Sequence, residues 1–589
     1  MSGTSPRPED WVSRLADEVI AAADARGIDH IVCASGLSPS GPIHLGNLRE
    51  VMVPHFVADE IKRRGRSCEH VLSWDDYDRF RKVPQGVQGI DESWSEHIGK
   101  PLSAVPAPRG SSYPSWAEHF KGAMAEALGQ LGVDYRGISQ TQMYASGAYR
   151  GQILLAMRER AAIDEILGRH RTKIDQAPGD SLAPASNGDE ATDEVGDKPG
   201  DELAEAVAAE GSGAAGEDDG ASTVGDYYPY KPYCHACGKD FTQVTAYDEA
   251  ANTLTYRCTA CGHEQSMDLS REDHGKLVWK VDWPMRWAYE RVLFEPSGVD
   301  HQSPGSSFAV GEFLAPIFGW ERPIGPMYAF VGIAGMAKMS SSRGGVPTPA
   351  DALAIMEPHV LRWLYVRRRP NQAFSVAFNN EIHRLYDEWD ALRRKVSGGT
   401  GQPGDQAAHL RSVTTAEGEL TGTPVPVAYR ALCSVADLTG GAADQELRIL
   451  QAMDGSIATL DDARPRLDKA ATWVATQADP EDRTVVRAEP DAAALAGLSE
   501  HQREALDLLL RDLEVDWTLE GLTTLVYGVP KIQAGLDVRD KKLPPAVKAD
   551  QRALFALLYR LLLGADTGPR LPTLMLCIGP ARTRALLAH

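Results

Sequence analysis

The chain is poor in several things that would assign it quickly. No run approaches the roughly 18 consecutive apolar residues a membrane helix needs, and the richest stretch, Leu554 to Leu563, is broken by Arg560. The first ten residues carry proline and acids rather than a basic region followed by an apolar block, so no secretory leader is expected. Cysteine is limited to eight residues in 589, which excludes a small disulfide scaffold. No Gly-x-x-x-x-Gly-Lys-Ser/Thr sequence occurs, which disfavours a P-loop nucleotide site. Together these absences predict a cytoplasmic protein with no membrane partner. At 589 residues, 43% hydrophobic and 24% charged, the composition is globular and long enough for several domains.

Basic charge is also in deficit. A formal charge of -21 argues at first against a nucleic-acid partner. The acid is concentrated, however. Between Pro178 and Asp226 stand 14 Asp or Glu against one Lys, a net of -13, and the other 540 residues carry only -8. That segment has no aromatic residue before Tyr227 and cannot bury enough apolar surface to offset its ordering entropy, so it reads as a disordered insert. Gly211-Ser-Gly-Ala-Ala-Gly216 inside it matches a dinucleotide fingerprint formally. With no strand before it and no apolar helix after it, chance in a glycine-rich tract explains the match.

Upstream, Trp11, Leu15, Val19, Ile20 and Ala23 recur at helical spacing and Gly27 stops the helix. His30 to Gly36 reads as a strand, Leu45 to Arg64 as a helix and Cys68 to Trp74 as a second strand. This β-loop-α-β order predicts a doubly wound, Rossmann-like α/β domain. Trp116 to Leu131 and Gly151 to Leu167 continue as helices. After about Ala350, amphipathic helices replace strand signals and predict an all-helical C-terminal domain.

Three groups of residues carry chemistry. The loop Ala34 to Asn47 delivers the first strand to a helix N-terminus, where glycines permit close approach and the helix start favours phosphate; a plain strand-to-helix turn is the competing reading. Lys338-Met-Ser-Ser-Ser-Arg-Gly344 offers a charge and hydroxyls to phosphates, against the commoner fate of a solvated loop. The most specific local signal is Cys234-x-x-Cys237 and Cys258-x-x-Cys261, separated by 20 residues, with Gly238 and Gly262 suited to the tight knuckle turns. Four thiolates close the shell of one Zn2+, so the metal is expected to be structural.

Taken together, these segments resemble the class I aminoacyl-tRNA synthetases. Ile43-His-Leu-Gly-Asn47 looks like the H-I-G-H signature and Lys338 to Ser342 like K-M-S-K-S. Within the class the lysyl branch is the nearest likeness, carried by Pro39 to Asn47, Trp74 to Pro84, Trp279 to Trp287, Glu295 to His301 and Tyr365 to Pro370. Asn47 replaces the second His and Ser341 the second Lys; a Ser at the latter place is usual for this branch by resemblance. The loss removes a positive charge that could stabilise the leaving pyrophosphate.

The resemblance implies a two-step reaction, in which lysine is activated with ATP and Mg2+ and then transferred to the 2′-hydroxyl of the terminal adenosine of tRNA(Lys). His44, Asn47 and Lys338 would be catalytic. ATP would meet Pro39, Ser40, Gly41, His44, Gly46, Asn47 and the loop Lys338, Met339, Ser340, Ser341 and Ser342. Gly36, Ser38, Trp279, His301 and Tyr328 would surround L-lysine. Its ammonium group needs an anion; Asp75, Asp76 and Asp78 follow a strand end, and Asp76 stands as the candidate. Glutamyl or cysteinyl activation, a ligase of the pantothenate-synthetase type that uses no tRNA, and a synthetase-like RNA-binding protein without activity are the competing functions.

The expected layout is a first part of the catalytic domain over 1–177, the acidic insert over 178–226, a zinc-ribbon insertion over 227–272, the second part of the catalytic domain over 273–349, and a helical anticodon-binding domain over 350–589. Arg367 to Arg369, Lys541, Lys542 and Arg570 are the weak local signs of an RNA partner.

Overall fold

A computed structural model describes residues 10–170, 227–333, 346–420, 426–479 and 483–589. The acidic segment 178–226, with its glycine fingerprint, and the loop Lys338 to Gly344 lie outside the described residues. The chain divides into two units. One comprises residues 1–332, 338–349 and 365–374, the other 333–337, 350–364 and 375–589.

In the first unit, helix α1 (Trp11–Arg26) begins where the Asp10 side chain accepts from the Ser13 N–H and ends at Gly27, whose φ of 63° places it in the left-handed region that glycine tolerates. Strand β1 (His30–Leu37), helix α2 (Leu45–Arg63) and strand β2 (Ser67–Trp74) follow, and β1 and β2 pair in parallel from His30 opposite Ser67 to Leu37 opposite Trp74. Helix α3 (Trp116–Gln130) leads to β3 (Arg136–Ser139), parallel to β2. Three helices come next: α4 (Gln140–Ala145), α5 (Arg150–Arg158) and α6 (Arg160–His170). The single helix expected over 151–167 is thus two, broken at Glu159, where the Arg160 guanidinium takes the Met157 carbonyl at 2.8 Å.

The four cysteines lie in a small antiparallel module. Strand β4 (Tyr230–Pro232) pairs with β8 (Gly275–Leu277), and β5 (Thr242–Asp248), β6 (Thr253–Cys258) and β7 (Glu264–Asp268) form a three-stranded sheet between them in sequence. Helix α7 (Trp279–Glu290) then returns the chain to the parallel sheet, where β9 (Val292–Phe294) pairs with β1.

The resulting sheet order, β3-β2-β1-β9, is wholly parallel and reverses direction at β1. Val32, Ala34, Val71, Ile138 and Val292 pack against Trp283, Trp287 and Phe308, the last from α8 (Ser307–Leu314). Each fully buried large apolar side chain stabilises by roughly 1.5–3 kcal/mol, so this layer fixes α7 on the sheet. The same face carries Trp279, Trp283 and Arg286 to the cavity at the C-terminal end of β1, where a sheet of this order places its ligands.

The second unit is built largely of helices. The expectation of an all-helical region after residue 350 needs two corrections: Phe374–Val376 is a strand, and Thr414–Thr415 pairs antiparallel with Gly418–Glu419; Phe, Val and Thr suit such short strands. Helices α9 (Glu381–Ser397), α10 (Tyr429–Thr439) and α11 (Arg466–Thr476) share one core. There Tyr386 stacks on Tyr429 at 3.9 Å and 5°. Beside them the fully buried Arg466 donates to Glu357 at 2.8 Å and to Asp390 at 2.9 Å.

Candidate active site

The loop after β1 is shaped by a reciprocal cap. His44 is the N-cap of α2; its Nδ1 accepts from the Gly46 N–H at 3.0 Å, while the Asn47 Oδ1 accepts from the His44 N–H at 3.3 Å. With Nδ1 occupied as an acceptor, the neutral imidazole carries its proton on Nε2. Burial lowers the His44 pKa and favours that neutral form. The ring is therefore a fixed neutral donor at a helix N-terminus, where phosphate oxygens are favoured.

Above this loop lies a cavity of about 440 Å3. Gly36, Ser38, Ser40, Gly41, Asn47, Trp279 and His301 line it. Pro39, His44 and Gly46 stand in the same loop and first helical turn but do not line the cavity. Trp279 and Trp283 stack at 5.1 Å along α7, and Trp283 meets the His301 ring edge-on at 5.4 Å. Tyr328 belongs to the short strand β11 (Met327–Tyr328), parallel to β10 (Ser297–Gly298).

The acids of the cavity are not equivalent. Arg286 donates to Asp75 at 2.5 Å and to Ser73 at 3.2 Å, and also pairs with Asp282. Burial pushes Asp75 up to about 6, with Arg286 opposing. Asp78 is paired with Lys276. Glu295 accepts from the indole N–H groups of Trp283 at 3.1 Å and Trp287 at 2.6 Å; burial nevertheless raises it to about 7.

Asp76, the carboxylate expected beside the lysine ammonium, is placed elsewhere. It accepts from Thr141 N at 2.7 Å, Ser139 Oγ at 2.6 Å and Lys121 Nζ at 2.9 Å, and it does not line the cavity. Its work is to anchor the start of α4.

The acid that sequence reasoning missed is Glu50. It lines the cavity, and a Cβ on Gly36 would stand 4.0 Å from its Oε1, so the absent side chain of Gly36 leaves its carboxylate open to the space above β1. Tyr328 donates a hydrogen bond to it. Burial raises its pKa well above the ordinary carboxylate value, and the neighbouring acids Glu295, Asp75 and Asp300 raise it further. Glu50 forms no ion pair among the described residues. The one available signal was its place one turn after Asn47, on the face that the loop before α2 also occupies.

The four cysteines form a separate centre. Their sulfurs all lie within 4.8 Å of one another, with Cys234 and Cys261 at 3.6 Å and Cys237 and Cys258 at 3.7 Å. A tetrahedron of thiolates about 2.3 Å from a central ion has edges of about 3.8 Å, so the donor set fits one metal ion. Both knuckles turn on a glycine of positive φ, Gly238 at 71° and Gly262 at 74°. The N–H of each glycine bonds back to the first cysteine of its turn, at 2.7 Å to Cys234 and 2.9 Å to Cys258.

Comparison with known proteins agrees with this geometry. The family described as tRNA synthetases class I (K) matches residues 9–419. A lysine--tRNA ligase of Streptomyces coelicolor is 61% identical over 99% of both chains. Another, of Treponema pallidum, is 30% identical over 98% of each, and one of Pyrococcus horikoshii is 29% identical over 96% of each. With a family match over most of its length and relatives spanning it end to end, the chain belongs to the class I tRNA synthetases of the lysine type.

Proposed function

We propose that the protein is a lysine--tRNA ligase that activates L-lysine with ATP and transfers it to tRNA(Lys). The observation that carries the substrate assignment is Glu50, a half-buried carboxylate lining the cavity with no ion pair among the described residues, in a chain 61% identical throughout to a lysine--tRNA ligase. A lysine ammonium supplies a counter-charge for Glu50, whereas a glutamate side chain would add another anion beside Glu50 and Glu295.

In this reading Glu50 and Tyr328 hold the ε-ammonium, Trp279 walls the alkyl chain, and Gly36, Ser38 and His301 complete the pocket. The lysine carboxylate oxygen attacks the α-phosphorus of ATP and pyrophosphate leaves. The 2′-hydroxyl oxygen of the terminal adenosine then attacks the lysyl carbonyl and AMP leaves. Pro39 to Asn47 seat the nucleotide, with His44 donating from Nε2 and Asn47 bracing the cap, and Lys338 to Ser342 supply a charge and hydroxyls for the phosphates. Mg2+ bound with ATP would supply charge neutralisation at the phosphates. The protein works by positioning and charge stabilisation, without a covalent intermediate on a side chain.

The same reading gives the four-cysteine module over 227–272 a structural Zn2+, makes residues 1–177 and 273–349 the catalytic domain, and assigns anticodon recognition to the helices of 350–589. The segment 178–226 is a spacer. Thiolate ligation and unpaired cysteines suit the reducing cytoplasm.

The test is ATP-dependent charging of tRNA(Lys) with lysine, alongside glutamate and cysteine on their own tRNAs and amino-acid-dependent pyrophosphate exchange. Lysine alone is expected to support both activities. Exchange driven by glutamate or cysteine would overturn the assignment.

A further inference from the structure

Tyr365 to Pro370, one of the segments that carry the family likeness, is bound to the start of α2. The Tyr365 hydroxyl donates to Leu45 O at 2.7 Å, and the Trp11 indole donates to Val366 O at 2.8 Å. Ala329 N donates to Pro370 O at 2.8 Å, and Leu45 N donates to Pro347 O at 3.1 Å. Arg49 ties these contacts together. Its Nη1 donates to Ala329 O at 2.9 Å, its Nη2 to Arg369 O at 2.7 Å, and its guanidinium lies 5.2 Å from the centre of the Phe374 ring. The residue is 1% exposed, and it forms no ion pair among the described residues. Burial lowers its pKa to about 10, which leaves it charged at neutral pH. A buried cation held by carbonyls and a ring alone carries a desolvation cost that an apolar side chain of similar length would avoid. What the guanidinium adds is geometry, because its planar fork fixes two backbone segments at once.

Those segments bear on both substrates. Arg49 and Glu50 are consecutive on α2, and they hold consecutive residues across from them, Ala329 by its carbonyl and Tyr328 by its hydroxyl. Lys338 stands in sequence between Ala329 and Pro347, each of which is bonded to the first turns of α2. We propose that Arg49, supported by Tyr365, is a positioning residue for the activation step: it fixes the chain leading to Lys338 on the helix that presents His44, Asn47 and Glu50, and so sets the lysine carboxylate in register with the α-phosphorus of ATP. The inference rests on the ligase reading above. Attack between two separately bound molecules is sensitive to displacements of about 1 Å. In the transfer step lysine and AMP are already one covalent molecule, and the triphosphate has gone. A lesion in register therefore weakens activation and spares transfer, whereas a lesion in folding weakens both.

The experiment reads Arg49→Met, Arg49→Lys and Tyr365→Phe, each in the full-length protein, in lysine-dependent pyrophosphate exchange and in single-turnover transfer from supplied lysyl-adenylate to tRNA(Lys). Arg49→Met should lower kcat for exchange roughly 10- to 100-fold, with KM for lysine within about threefold and transfer within about twofold of the parent. Arg49→Lys can reach one carbonyl rather than two and should fall between Arg49→Met and the parent. Tyr365→Phe removes a single hydrogen bond and should lower kcat for exchange about threefold. Should Arg49→Met fail to fold, the other two variants decide by the same split between the steps. Equal falls in exchange and transfer would make Arg49 part of the architecture alone, and a raised KM for lysine with kcat unchanged would move it to the lysine pocket. Either result overturns the proposal, as would unchanged exchange in all three variants. Absence of lysine-dependent exchange in the parent would instead count against the ligase reading.

Discussion

Both units of the chain bury carboxylates, and they treat them in opposite ways. In the helical unit Glu357 and Asp390 share the fully buried Arg466, at 2.8 and 2.9 Å. In the parallel-sheet unit Asp75 and Asp78 are paired in the same manner with Arg286 and Lys276. Among the described residues Glu50 forms no ion pair and accepts from the Tyr328 hydroxyl, while Glu295 accepts from two indoles and feels Arg286 only through space. Charge buried in company is architecture. Charge buried without a counter-ion costs stability, and it is retained where a ligand brings the missing ion.

That contrast can be broken at its strongest point. Arg466→Met should strand Glu357 and Asp390 in a dry core and destabilise the helical unit by about 3–5 kcal/mol, read from denaturant unfolding. Glu50→Gln should do the reverse: stability unchanged or slightly raised, while kcat/KM for lysine in pyrophosphate exchange falls about 100-fold, or ~3 kcal/mol. If Glu50→Gln unfolds the protein and leaves the lysine term intact, Glu50 belongs with Arg466 as architecture.

Protonation sharpens the same comparison. Glu295 at about 7 and Asp75 at about 6 lie above their unfolded values. Their contribution to the stability of the ligand-free fold is therefore fully present near pH 4 and is lost as pH rises through 6 to 7. Lysine binding should run the other way, because the ammonium group is favoured by ionised carboxylates. The KM for lysine should rise roughly three- to tenfold as pH falls from 8 to 6, a dependence that Glu295→Gln should flatten. A KM independent of pH over this range would remove Glu295 from the electrostatics of the pocket.

Much of this site was legible in the sequence because it is local. The Gly27 stop, the strand His30 to Gly36, the turn into α2 and the paired cysteine turns are each specified within a few residues, and the structure contains them. The i, i+4 spacing of Trp279, Trp283 and Trp287 likewise announced one helical face. What was not legible depends on partners far away. Asp75, Asp76 and Asp78 look alike as neighbours on a strand end, yet the fold gives the first to Arg286, the second to Thr141 and Lys121, and the third to Lys276. Glu50 reads as one more acid on an amphipathic helix. Its character comes from Glu295 and Tyr328, about 245 and 280 residues later.

The smallest effect is the most discriminating, because it isolates the bond that separates Glu50 from a paired acid. Tyr328→Phe removes one neutral donor from Glu50 and leaves the ring in place. The expected loss in kcat/KM for lysine is about three- to tenfold, near 1 kcal/mol, the usual worth of a single hydrogen bond. In the Glu50→Gln background the same substitution should cost much less, since the donor then meets an uncharged amide. A coupling energy of about 0.5 kcal/mol or more would establish that Tyr328 acts through Glu50. Additive losses would instead place the tyrosine on the lysine chain as a wall alone, leaving Glu50 to hold the ammonium without its help.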